Sequence, residues 1–245
     1  MDTQTSPPSA AKVSLLTRDR HGGVRLSSPR RFPDSAELSS VPLVVAELAE
    51  AAAYFPIAFL GGDKPQLAAI LTVTSNDNLF VNPEGTWLDG VYVPALLRRR
   101  PFSIAATDKP ETYAVLIDET DGTLDPDKGL PLFDGDKLSA FGDELLNLTR
   151  ELQPAVAITE TFVAALHQQG LLTPRTVTLT TDGRSPAVLQ GLQLIDSEKF
   201  LALPEATVLE WHRNGYLAAI AVINSSQGRW PALLRLSKLR AAARA

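Results

Sequence analysis

The sequence has no cysteine, and that absence removes disulfides, thiolate nucleophiles, zinc-thiolate centres and iron–sulfur clusters from consideration. Histidine is scarce: the three in the chain, His21, His167 and His212, stand far apart. None has a partner at ligand spacing, and neither an HExxH nor an HxH element occurs, so a histidine-based metal centre has no support. Positive charge is short as well, with 23 Lys and Arg against 28 Asp and Glu and a formal net charge of −5. A general nucleic-acid binder needs a basic face to meet phosphates, and this balance argues against one. Long apolar runs are missing too. Tyr216 to Ile223 is too short, and Val41 to Phe59 is broken by Glu47, Glu50 and Pro56, so neither crosses the roughly 30 Å of a bilayer's hydrocarbon. The opening MDTQTSPPSAAKVSLL has neither a basic start nor a sustained apolar stretch. It does not read as a secretory leader, and the expected location is the cytoplasm.

What is present suits an ordinary folded domain: 245 residues, 44% hydrophobic and 21% charged. Residues 1 to 12, rich in Ser, Pro, Thr and Ala, are expected to be disordered, with one domain over 13 to 245. Pro42 suits a first helical turn, with Leu43, Val44, Leu48, Ala51 and Ala52 on one face and Pro56 as the stop. Pro56 to Leu60 and Leu67 to Thr74 read as strands, as do Phe102 to Ala106 and Tyr113 to Ile117. Asp136 is expected to cap a helix carrying Leu138, Phe141, Leu145, Leu148 and Leu152, which Pro154 breaks. A second helix, Ile158 to Gln169, ends at Gly170. Val177 to Ile195 forms a hairpin about Asp182-Gly183, Asp196 or Ser197 caps a short helix, and Glu205 to Asn214 closes at Gly215. Tyr216 to Ile223 is apolar on every side, which fits a buried strand or a buried helix. Trp230 to Arg244 is a helix with Arg235, Lys238, Arg240 and Arg244 toward its end, where cations suit the macrodipole. Helices and strands mix without a βαβ rhythm, so the fold class is α+β, a mostly antiparallel sheet with several packed helices.

Catalytic signatures are absent: no GxSxG elbow, Walker loop, GxGxxG fingerprint or kinase set occurs, and no serine has a nearby base. Gly22-Gly23 and Gly61-Gly62 lack the strand-to-helix context of a phosphate loop. Between Asp118 and Asp136 lies an acidic stretch. A calcium-loop register started at Asp125 places Asp127 third but puts Leu130 where the sharp turn needs glycine, so Asp125 and Asp127 are only weak metal candidates beside the plainer account of a solvated loop. No cofactor is implied.

The most informative stretch is Asn78 to Phe102, NLFVNPEGTWLDGVYVPALLRRRPF. On a short helix Arg98, Arg99 and Arg100 would fan over most of the circumference, so one must approach protein and seek a carboxylate, for instance from the acidic loop. The others can grip a carboxylate or phosphate of a small anionic ligand or a partner protein. Trp87 and Tyr92 beside them can form a pocket wall or seal the core edge. The plainer account is a solvated basic turn with one internal salt bridge.

These residues also carry a resemblance. Asn78-Leu79-Phe80-Val81, Gly85-Thr86-Trp87, Tyr92-Val93-Pro94-Ala95 and Arg99-Arg100-Pro101-Phe102 occur in the order found in the SapC family of bacterial proteins. Downstream, Gly129 to Phe133, Leu171 to Pro174, Gly191 to Asp196 and Gly215-Tyr216-Leu217 continue it, so that it spans about Leu26 to Leu239. The resemblance implies an association with bacterial surface layers and brings no established catalytic residues. A surface-layer component must leave the cytoplasm, and the glycine-aspartate nonapeptide repeats of many signal-less export substrates are not in this chain. The expected role is therefore a non-enzymatic accessory or binding protein for surface-layer or envelope processes. The alternatives are a structural surface-layer component reaching the cell surface by signal-less export, and an unrecognised enzyme or small-ligand-binding protein.

Overall fold

Ile57–Leu60 and Gln66–Ile70 are apolar at nearly every position, and both lie in the middle of a sheet where residues of either face are buried. The computed structural model describes residues 12–28, 30–74, 76–107, 113–181 and 184–244. The segment expected to be disordered falls outside these except for Lys12, and so does the Asp182-Gly183 turn. The described residues gather into two compact units, one from Met1–Phe32 and Arg99–Arg150, the other from Pro33–Arg98 and Glu151–Ala245. All strand pairs in both are antiparallel, and the fold class is α+β as expected.

The first unit is organised on a three-stranded sheet in the order Val13–Leu15, Tyr113–Asp118, Phe102–Ala106. The register sets Ile117 opposite both Ser14 and Phe102, so Phe102 and Ile117 share a face. There they pack with Leu26, Leu132, Leu145 and Leu146. The helix supplying the last two begins at Ala140 rather than near Asp136. Ser139 is its cap, accepting from the Gly142 N–H at 3.0 Å while donating to the Pro131 carbonyl at 2.7 Å. A Cβ on Gly142 would collide with the Leu132 carbonyl oxygen, so only glycine lets the first turn lie this close.

Ala140–Gln168 is one helix of 29 residues with Pro154 inside it, where the sequence predicts a break. Proline there removes one backbone donor and costs about 3 kcal/mol. Apolar burial on both sides outweighs it: Leu145, Leu146 and Leu152 before the proline, and Phe162, Val163 and Leu166 after it, are all buried. Each such side chain contributes about 1.5–3 kcal/mol.

The second unit holds a five-stranded sheet in the order Leu172–Thr181, Arg184–Ile195, Ile57–Leu60, Gln66–Ile70, Ser40–Pro42. Pro42 is thus an edge-strand residue, not the start of a helix. Its neighbour Leu43 donates to the Leu67 carbonyl and Leu71 donates to the Ser39 carbonyl, so the alternation turns the Pro42 nitrogen toward the open edge, where no donor is required. Helix begins only at Leu48–Ala52, after a 3-10 turn at Val45–Glu47. Tyr216–Ser226 is a helix, buried through Ala219, Ile220, Ile223 and Ser226. Its end completes the adjacent strand: Ser226 Oγ accepts the Ile57 N–H at 3.0 Å, and Gln227 donates to the Ile57 carbonyl at 2.7 Å. Asp196 caps Ser197–Leu201 through the Glu198 and Lys199 amides, and Gly215 closes Glu205–Arg213 with φ at 76°, both as expected.

Candidate functional site

The Asn78 to Phe102 stretch is an irregular segment whose backbone is satisfied by its own side chains. Asn78, fully buried, donates to the Ser35 carbonyl and accepts from the Phe80 N–H, each at 2.9 Å. Asn82 accepts the Thr86 N–H at 2.8 Å. Val81 and Trp87 form an isolated antiparallel bridge. Trp87 is buried, stacked on Phe80 with ring centres 6.0 Å apart and edge-on to Phe55, and its indole N–H donates to the Tyr92 carbonyl at 3.1 Å.

Beneath Tyr92 lies a buried carboxylate that the sequence shows only as an interruption in an apolar run. Glu47 Oε1 accepts the Val44 N–H at 2.9 Å, and Oε2 accepts both the Tyr92 hydroxyl at 2.8 Å and the Ala95 N–H at 2.7 Å. The Tyr92 hydroxyl in turn accepts from Arg98 at 3.0 Å, and the Arg98 guanidinium lies 5.3 Å from the Tyr92 ring centre. Burial first, then the Glu47 charge and hydrogen bond, hold the Tyr92 phenol above its ordinary range, with Arg98 pulling the other way. A phenol raised in the folded state stabilises fully below its unfolded value near about 10, and that stabilisation is lost as pH rises through the folded value. Stability is therefore expected to fall above about pH 10, and Tyr92→Phe should flatten that fall. Denaturant midpoints measured across the alkaline range check this, and equal slopes in wild type and variant would contradict it.

The three arginines have three fates. Arg98 is exposed and rests on Tyr92. Arg99 is half-buried, which pushes its guanidinium below the ordinary range, and no described residue gives that guanidinium a hydrogen bond or ion pair. Arg100 donates from Nε to the nearly buried Asp121 at 2.6 Å, the acidic-loop partner that one arginine of the three was expected to need. The loop is otherwise tied inward. Asp125 accepts the Asp127 and Lys128 amides and pairs with Arg31 at 3.3 Å, while the Asp127 side chain is exposed. Among the described residues no group of three or more His, Asp or Glu side chains is placed to hold a metal ion.

A second polar cluster in the first unit brings Ser14, His21 and Glu119 together without the geometry of a nucleophilic triad. The Ser14 hydroxyl donates to Glu119 at 2.7 Å rather than to His21, and His21 Nε2 lies 3.2 Å from the same carboxylate oxygen. His21 Nδ1 lies 3.0 Å from the Thr17 nitrogen and 3.1 Å from the Thr17 carbonyl oxygen, which fixes the ring at the start of its helix. Lys12 and Arg20 also bind Glu119, at 2.8 and 2.7 Å. Lys12 and Ser14 lead the donors that hold its carboxyl below the ordinary range, which makes it a poor base. The cluster fastens the N-terminal strand.

The sequence gives no sign of a groove of about 470 Å³ in the second unit. One helical face, Val156, Thr159, Glu160, Val163, Ala164 and His167, forms one wall. The end of the edge strand at Pro42 to Val44, the Asp63 to Leu67 connection and Leu96 form the rest. Trp87, Tyr92 and Arg98 do not line it. Leu43, Val44, Leu67 and Val163 are buried beneath it, while Lys64, Glu160 and His167 are exposed around it.

These features define an α+β protein with antiparallel sheets and an apolar-walled groove. The chain belongs to the SapC family, whose model matches residues 16–233. Comparison with curated proteins and comparison with solved structures each gave no match.

Proposed function

We propose that this chain is a non-enzymatic accessory protein that binds a small ligand with an apolar body and a polar head, in support of surface-layer or envelope-linked processes. The observation that carries the reading is the groove: its volume of about 470 Å³ falls within the roughly 300–1,000 Å³ of small-molecule sites, and its apolar walls with a few polar groups have their usual character. Lys64 and His167 supply donors for the head, and Leu43, Leu67, Leu96, Val156 and Val163 accept the body. The surface-layer link comes from the family. In this reading Trp87 and Tyr92 support Arg98, whose exposed guanidinium is the proposed contact for a partner's carboxylate.

Anilinonaphthalene sulfonate, an apolar body with one anionic group, tests the groove directly. Saturable one-to-one fluorescence enhancement is expected for the wild type. Val163→Trp, which fills the groove from its helical wall, should weaken it by tenfold or more, the equivalent of about 1.4 kcal/mol. Enhancement unchanged by Val163→Trp would remove the groove as the site.

A further inference from the structure

We propose that the first unit carries a binding site for a small oxyanion, a phosphate or a carboxylate, formed by Arg30 and Thr123 beside the Arg100–Asp121 ion pair. It goes beyond the groove reading and shares no residue with it. The starting point is a pair of buried donors. Thr123 is 1% exposed and its hydroxyl has no hydrogen-bond partner among the described residues, and the Nε of Arg30 is likewise buried without one among them. Buried polar groups are nearly always satisfied, so two such groups in one place call for an acceptor.

They are in one place because both are built onto Asp121. Its Oδ1 accepts the Thr123 N–H at 2.8 Å, and its Oδ2 accepts Arg100 Nε at 2.6 Å. Arg30 donates from a terminal nitrogen to the Arg100 carbonyl at 2.6 Å and feels the Asp121 charge. The Phe32 ring, 5.6 Å from the Arg30 guanidinium, backs its plane. Arg31 is spent on Asp125 and is not counted. Arg30 and Arg100 thus stand together at a carboxylate whose two oxygens are already engaged.

Donor character decides the ligand. Guanidinium groups only donate, and the Thr123 hydroxyl can donate as well, so the vacant bonding capacity calls for an acceptor of negative charge. Arginine's planar fork matches carboxylate and phosphate oxygens. Burial already disfavours the charged form of Arg30, and a bound anion would relieve that cost. The partly exposed Arg100 gives the approach from solvent.

Calorimetric titration of the full chain with sodium phosphate, and separately with sodium acetate, at matched ionic strength tests the site. Saturable one-to-one binding is expected, weakened at least tenfold by Arg30→Met and about threefold or more by Thr123→Val, the latter in line with loss of one hydrogen bond. Val163→Trp should leave it unchanged. Tighter phosphate than acetate identifies a phosphate site, and the reverse a carboxylate site. Should Arg30→Met fail to fold, Thr123→Val, close in shape, decides alone. Absence of saturable binding for both anions, or equal affinity in wild type and Thr123→Val, overturns the proposal.

Discussion

Glu47→Ala is expected to lower the stability of the protein by about 3–5 kcal/mol, because three donors lose their acceptor together. Glu47 is 5% exposed, and its two oxygens answer three donors: the amides of Val44 and Ala95 and the hydroxyl of Tyr92. Each donor left buried and unpaired costs about 1–3 kcal/mol before the surroundings relax. The loss reaches further than the carboxylate. Without it the Tyr92 hydroxyl no longer fixes Arg98, and the Ala95–Arg98 helical turn loses the acceptor at its first amide. Glu47→Gln separates charge from shape. Both oxygens already accept, so whichever becomes an amide nitrogen meets a donor head-on, and about 2–3 kcal/mol should still be lost. Glu50→Ala, three residues on and exposed, should stay within about 0.5 kcal/mol. Urea denaturation of the four proteins provides the comparison. A Glu47→Ala midpoint no lower than that of Glu50→Ala would show that the network does not hold this region together.

Features that depend on neighbours in sequence were readable from it, and features assembled from distant segments were not. Asp196 begins an element through its own carboxylate, Gly170 and Gly215 end elements through their positive φ, and each stands where local chemistry puts it. The hairpin is readable from Val177 to Ile195 by alternation and the Asp182-Gly183 pair, while its first strand in fact starts earlier, at Leu172. Proline misled twice, for opposite reasons. Pro154 is a strong local breaker overridden by burial along both halves of a 29-residue helix, and Pro42 looks like a helix start but sits on an open sheet edge. Tyr216 to Ile223, apolar on every side, required the fold itself to make it a helix.

The candidate side chains divide in the same way. Arg98, Arg99 and Arg100 drew notice as a run, and the need of one for a carboxylate is met by Asp121. Glu47 could have been found by asking why an acid interrupts Val41 to Phe59, since a buried acid must collect donors. The groove had no signal of that kind, because its walls come from Pro42 to Val44, Asp63 to Leu67, Leu96 and the helix from Val156 onward. Arg240 stands among the cations near a helix end, where the macrodipole would account for it, and its partners lie about 160 residues away.

Those partners make Arg240→Met the second large effect, an expected loss of about 2–4 kcal/mol. Arg240 is four-fifths buried and its fork holds the Asp77 to Val81 segment: one terminal nitrogen donates to the carbonyls of Leu79 and Val81 at 3.2 and 2.7 Å, and the other reaches Asp77 at 3.4 Å. Leu79, Phe80 and Val81 are themselves buried, so these carbonyls have little water to turn to. Methionine keeps most of the apolar stem and removes the donors, which isolates the hydrogen bonds from the packing. Lysine keeps the charge but only as a point, able to satisfy one carbonyl in place of the fork, and should recover about half the loss. Arg244 shares Asp77 at 3.0 Å, yet its side chain is 61% exposed, and Arg244→Ala should cost under about 1 kcal/mol. Hydrogen exchange gives the local reading: in Arg240→Met the amides of Asn78 to Val81 should exchange faster than the global stability change explains, because Trp230–Ala243 no longer clamps them. If those amides keep their protection while the whole chain loses stability, the arginine supports the helix and not the segment it touches.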